Sequence, residues 1–334
     1  MKKYIYILHI YISMAYKVYW LNMKHTNKLI KELNQVLKKT GGSLNKAQIK
    51  RIKFYTDQSC ITNSWFCTLR GQKTISEEEM YAIYLGAITP LLDDLTDSLK
   101  LTSVEIMEKL NSPDDTTSDE MVLARYIYAQ LTNNCNEDFY SAFEEALVAQ
   151  DTSLKQLEKD NLNNKELKNI TYVKGCTSTL LYRIILCNQL KSGEKEAIYS
   201  LGYLLQLTND MFDVYKDYHK KQQTLYTNSI DLIQLYHEYK TTLDKMILQF
   251  MYLDYDYKNI KKCLCEISTI TSRGMVCSDQ LLLCQKKTNG IFKIGQYTRK
   301  QLKCDMEKLS NIIKSINYSI HFYNQLKLLT IKLQ

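Results

Sequence analysis

Oxygen-bearing side chains recur at two places in this chain with the spacing of one helical face. In Asp93-Asp94-Leu95-Thr96-Asp97 the outer acids stand four residues apart, with Asp94 beside them. Asn209, Asp213 and Asp217 stand at i, i+4 and i+8. On an α-helix such residues share a face, and the second row covers roughly 12 Å, about two turns. Like charges at that spacing repel. The neighbours are apolar: Ile88, Leu91, Leu92 and Leu95 around the first row, and Leu204, Leu207, Met211, Phe212 and Val214 around the second. Carboxylates in such a setting call for a cation. Lys or Arg from adjacent helices is one source. A hard divalent ion such as magnesium, which bridges one or two carboxylates to a phosphate, is the other. The first row alone leaves both open, because Asp114, Asp115 and Asp119 bring as many acids to what reads as a surface turn and a helix cap. The second row, on a helix that is otherwise mostly apolar, favours the metal.

The elements that position these acids are helices. Two Pro and ten Gly in 334 residues are too few for the turns of a strand-rich fold. An all-α fold is expected. The pattern predicts helices over Thr26–Leu37 and Ser43–Tyr55, then a mixed stretch over 56–75 that includes a turn at Leu69-Arg70-Gly71. Ser76-Glu77-Glu78-Glu79 reads as a capping box that opens a helix to Asp97. Further helices are predicted over 136–149, 151–160, 166–190 and 194–219, and three or four more after that, with a break near Ser272-Arg273-Gly274. One and two turns before Asp93 lie Thr89 and Gly86; Gly202 lies two turns before Asn209. These small residues are expected to leave room for a cavity beneath a metal cluster, or to mark close packing. Pro90 is expected to kink its helix.

No repeat and no Pro- or Gly-rich linker divides the chain, so one helical domain is expected over 25–334. Residues 1–24 read as an N-terminal extension, a docking helix too short and punctuated to span a bilayer. A cytoplasmic protein follows, with a membrane-peripheral position allowed. The net charge of +8 suits anionic partners, but the basic residues carry no nucleic-acid motif, so no nucleic acid is expected. Cys263, Cys265, Cys277 and Cys284 lack paired metal-ligand spacing and read as small buried thiols.

Leu201-Gly202-Tyr203-Leu204-Leu205-Gln206-Leu207-Thr208-Asn209-Asp210, running into Asp213-Val214-Tyr215-Lys216-Asp217, resembles the second aspartate-rich helix of squalene and phytoene synthases. The same Asn209, Asp213 and Asp217 are similar to the metal triad of terpene cyclases. Asp93 to Asp97 resembles the first aspartate-rich motif of the class I isoprenoid synthase superfamily. Tyr172-Val173-Lys174-Gly175 is similar to the Tyr-Val-x-Gly helix of the squalene/phytoene group. The resemblance extends over roughly residues 40–310.

It implies a helical bundle with a central active-site cavity, two facing acidic motifs and a magnesium cluster of more than one ion, with an allylic prenyl diphosphate as substrate. Asp93, Asp94, Asp97, Asn209, Asp213 and Asp217 are then metal ligands, with Asp210 a further candidate. Lys174 and Lys216 contact diphosphate; Arg183 and Arg273 read as surface charges or ion-pair partners. Gly86, Tyr172, Gly202 and Tyr203 border the cavity, with Tyr84 and Phe212 as further candidates. Departures bear on the subclass. Gly41-Gly42 is followed by Ser43-Leu44, and Asp97 by Ser98-Leu99-Lys100, so the segments of chain-elongating prenyltransferases are lacking. Phe212 stands where squalene and phytoene synthases usually carry Arg. Cyclisation or rearrangement is the expected outcome, with head-to-head condensation the alternative and a non-catalytic helical isoprenoid-binding protein the rival from another class.

Overall fold

Every regular element described in the computed structural model is helical. The described residues are 2–17, 23–72, 75–112, 118–133, 137–158, 161–186 and 188–333; Asp114 and Asp115 lie outside them. The chain forms two compact units. The first comprises Met1–Tyr11, Ser153–Cys176 and Lys191–Gln334, the second Ile12–Thr152 and Thr177–Leu190. Helix α1 (Lys2–Tyr16) begins in the first unit and ends in the second. No described helix is long and apolar enough to cross a membrane.

The second unit is built from α2 (Met23–Lys38), α3 (Lys46–Arg70), α4 (Ser76–Asp97), α5 (Ser103–Asn111), α6 (Asp119–Thr132) and most of α7 (Glu137–Ser153). Asn45 and Gln48 form a reciprocal cap at the start of α3, and Gly71 ends it in the left-handed region. α3 thus runs fifteen residues beyond the predicted stop at Tyr55. Its polar middle makes contact with α4: Ser59 donates to the Ala82 carbonyl, and Asn63 to that of Glu78 at 3.3 Å. As partners descend along α4 while they ascend along α3, the two helices are antiparallel. Ser76 is helical and makes no cap; Ile75 precedes the helix without a side-chain hydrogen bond. Glu78 instead turns into a fully buried ion pair with Arg70, with both oxygens 2.9 Å from the guanidinium. Arg183 is also not a surface charge: it is buried, and donates to the Asn188 and Gln189 carbonyls beyond the end of α8 (Asn164–Ile184).

The first unit holds the N-terminal part of α8, then α9 (Glu194–His219), α10 (Leu225–Asn228), α11 (Leu232–Met251), α12 (Tyr257–Lys287), α13 (Arg299–Leu302) and α14 (Leu309–Leu333). Gly193, at φ 76°, makes the left-handed turn that admits the chain to α9. α12 is continuous through Ser272-Arg273-Gly274, where a break was expected. Gly274 is there because the Tyr239 ring lies directly against it. The Tyr239 hydroxyl bonds to Thr208 of α9 at 3.0 Å and to the Thr271 carbonyl of α12 at 3.1 Å, locking three helices around one phenol. Cys263, Cys265, Cys277 and Cys284 are buried thiols in α12.

Candidate functional site

In the second unit, the acids of α4 are reached by α3 because Gly86 has no side chain. A Cβ there would lie 2.7 Å from the Thr56 Cα and 2.8 Å from the Tyr55 carbonyl oxygen, so the two backbones approach to where no other residue fits. Gly86 is therefore filled by α3 and opens no space beneath the acids. From that contact Arg51 donates to both oxygens of Asp94 at 2.5 and 2.7 Å and to the Pro90 carbonyl at 3.1 Å. It also stands 3.9 Å from Asp93, which accepts from the Tyr55 hydroxyl at 3.0 Å. Burial and the Asp93 charge push the Tyr55 hydroxyl well above its ordinary pKa, so it stays a donor. Tyr182 bonds to Thr89 and lies near Asp93; burial raises its pKa to about 12. Asp97 is exposed. Of the two cation sources open to the first row, a guanidinium is in place.

In the first unit the acids of α9 have a different setting. At 100° per residue, Gly202, Gln206, Asp210, Asp213 and Asp217 fall within about 80° of one another on the helix. This face meets α8 at Gly202 and Gly175, whose backbones touch so closely that a Cβ on either would collide with the carbonyl of the other. Gly202, like Gly86, is a packing contact. Asn209 lies at the edge of the face and is exposed.

Asp210 is 5% exposed; it accepts from Gln206 at 2.8 Å and from Thr171 at 3.5 Å. Burial raises its pKa to about 6, with Asp213 adding to the rise and Lys174 opposing it. Asp217, also 5% exposed, is pushed up to about 7 by burial and then by Asp213 and Asp210. Its carboxylate makes no hydrogen bond among the described residues; Lys216 and Lys220 lower the cost of its charge only from a distance. Asp213 is more accessible and pairs with Lys216 at 2.7 Å. The Tyr226 hydroxyl, buried near Asp210, has no hydrogen-bond partner among the described residues.

The remaining candidates cluster beside this face. Tyr172 is partly exposed, and its ring packs edge-on against Tyr203, centroids 5.5 Å apart. Tyr203 is buried and donates to Glu238, which Lys168 meets at 2.7 Å. Lys174 bonds to Ser153 at 3.4 Å. Tyr84 and Phe212 are partly buried. The two concavities described in the first unit, about 570 and 140 Å3, take in none of the metal, diphosphate or cavity candidates named from the sequence.

The donor chemistry of α9 fits magnesium: three carboxylates on one face, two of them buried and made harder to ionise by burial and by Asp213, beside a buried hydroxyl with no hydrogen-bond partner among the described residues. No three His, Cys, Asp or Glu side chains among the described residues converge on a single point. Magnesium is commonly held by one or two carboxylates, with water and substrate phosphate completing its octahedron. On α4 the fit is poorer, since Arg51 already neutralises Asp94.

Sequence reasoning missed Arg51, Tyr55, Gln206 and Tyr226. Arg51 and Tyr55 had a signal, an i, i+4 pair on a helix, but only their partners on α4 reveal its use. No protein-family model and no curated protein matches the chain. Among solved structures it is similar to a crystal structure of a dehydrosqualene synthase in complex with ligand, with 12% sequence identity, a TM-score of 0.45, and coverage of 91% of this chain and 99% of that one.

Proposed function

We propose that this chain is a magnesium-dependent class I isoprenoid synthase that ionises an allylic prenyl diphosphate, releases diphosphate and turns the carbocation into a terpene by cyclisation or rearrangement. The observation that carries this reading is Asp217, a buried carboxylate with no hydrogen bond among the described residues and two acids on its own helix face. A cation binding there removes a repulsion that the fold otherwise sustains. Asp213 and Asp217 are the leading ligands, with Asn209 at the edge of the face; Asp93, Asp94 and Asp97 are proposed ligands on α4, where Arg51 competes for Asp94. Magnesium, when bound, supplies Lewis-acid stabilisation of the departing diphosphate.

The chain's own residues do the rest. Lys216 is exposed and pairs with Asp213, which places its ammonium to meet a diphosphate oxygen at that acid. Lys174 offers a second ammonium beside Asp210. The faces of Tyr172 and Tyr203 stabilise positive charge that water would otherwise quench. One observation favours head-to-head prenyl condensation as a second reading. The two segments that resemble the squalene/phytoene group, Tyr172 to Gly175 and the helix of Gly202, are in backbone contact.

The test is diphosphate release from geranyl, farnesyl and geranylgeranyl diphosphates, with products identified by mass spectrometry. Release with magnesium and none with chelator is expected, and Asp213→Asn or Asp217→Asn lowers it by about a hundredfold, the scale of losing one electrostatic stabiliser. A product joining two prenyl chains selects the second reading. No release and no magnesium-dependent binding across the panel overturns both.

A further inference from the structure

Helix α1 is apolar on both sides. Its inner face is spent on the fold: Ile7, Ile10 and Met14 are buried, and Tyr6 packs against Tyr323 with centroids 5.5 Å apart. The Tyr11 hydroxyl bonds to Ser315 at 2.8 Å, Ser319 at 3.0 Å and Ser272 at 3.1 Å. Those contacts fix the rotation of the helix and leave Tyr4, Ile5, Leu8, Ile12 and Tyr16 outward, each between 48 and 63% exposed. At 100° per residue these five fall within about 120° of arc, a stripe about 18 Å long. Five large apolar side chains in one uninterrupted exposed face are a docking surface rather than scattered exposure.

Charge identifies the occupant. α1 contains no acidic residue, and Lys2 and Lys3 stand at its N-terminal end, with Lys3 over the Tyr4 ring. Through residue 56 the chain carries twelve Lys and Arg against a single acid, Glu32, whereas the whole chain is only +8; the rest is net negative. Ten of those twelve lie beyond α1, so the charge beside the stripe itself is that of Lys2 and Lys3. Ile and Leu at the centre, Tyr at both ends and Lys beside them match a helix lying in the plane of a bilayer interface, with side chains in the acyl boundary and ammonium groups among the headgroups. We infer that the outward face of α1 docks this protein on an anionic lipid surface, as an interfacial helix that does not cross the membrane.

The full chain is sedimented with vesicles of phosphatidylcholine alone and of phosphatidylcholine mixed with phosphatidylglycerol. Retention by the anionic vesicles is expected, weakened by salt. Ile5→Ser/Leu8→Ser/Ile12→Ser lowers the partition coefficient by about tenfold or more while the melting temperature is unchanged, because the three side chains are exposed. Lys2→Gln/Lys3→Gln lowers it by about fivefold per charge. Ile233→Ser, a comparably exposed apolar site on α11, has no effect. Protein that stays in the supernatant with both vesicles overturns the inference, as does equal retention by neutral vesicles. A concentration-dependent dimer seen by light scattering and dissolved by the triple variant overturns it in favour of a contact between copies.

Discussion

Arg51 governs what the first acidic row can do, because it occupies with a guanidinium the role that a metal would fill. Arg51→Met removes the guanidinium from beside Asp93 and Asp94 and lowers the stability of metal-free protein by about 1 kcal/mol, the scale of a partly exposed ion pair. If these acids bind magnesium, that loss is recovered on adding the ion, and the magnesium-dependent rise in melting temperature is larger in the variant than in the parent. An equal rise in both assigns the metal to α9 alone. On α9 the sign is opposite. The Asp217 pKa is raised to about 7, so its charged form is the destabilising one. Without metal, stability falls as pH rises through that value. Asp217→Asn is expected to melt higher than the parent at about pH 8, with the gap closing as pH falls to about 4, below which the carboxyl is protonated in both states, while losing the stabilisation by magnesium. Thermal melts at the two pH values, with and without the ion, read all four outcomes.

At the scale of elements, the three glycines in helix interiors that the sequence marked as room for a cavity, close packing or a break are contacts. Gly86 admits α3, Gly202 admits α8, and Gly274 admits the Tyr239 ring. Glycine costs a helix about 1 kcal/mol relative to Ala, and sequence alone cannot separate a residue kept for space from one kept for proximity. Gly202→Ala gains helix propensity yet places a methyl against the Gly175 backbone, which has no side chain to move aside. A net loss of about 1–3 kcal/mol is expected in urea denaturation, and a gain would show that α8 can retreat from α9. The polar middle of α3 misled for a related reason. Ser59 and Asn63 lie in what reads as a mixed stretch, but they are polar groups whose hydrogen bonds go to α4 carbonyls, while Thr56 bonds back to Lys53 of its own helix. The acidic rows were legible because their register is local. Arg51, which neutralises one of them, was not, since nothing in the sequence pairs it with residues about forty positions away. The same holds for Arg70 and Glu78, whose burial no local pattern announces. Glu78→Gln strands the guanidinium and is expected to cost about 3–5 kcal/mol in the same denaturation experiment.

For the whole molecule, the composition fixed the helical class, and the distribution of charge along the chain carried more than its total. The N-terminal segment, read from sequence as an extension, is joined to the core by α1. Ile7, Ile10 and Met14 are each at most 7% exposed, and removing residues 2–16 deletes their burial and exposes the surface they cover. At about 1.5–3 kcal/mol for each buried side chain of this size, the loss approaches the whole net stability of an ordinary domain. The truncated chain is therefore expected to aggregate or to unfold at much lower urea, whereas the exposed-face triple variant keeps the parent midpoint. The contrast separates the two faces of one helix. If truncation leaves the midpoint unchanged, α1 is a detachable appendage, and its burial contributes nothing to the fold. If truncation unfolds the chain and the triple variant does not, a helix whose inner face supports the fold also carries an exposed apolar stripe. Docking through that stripe would then hold α1 in place, and so bear on the packing of Tyr11 against α12 and α14.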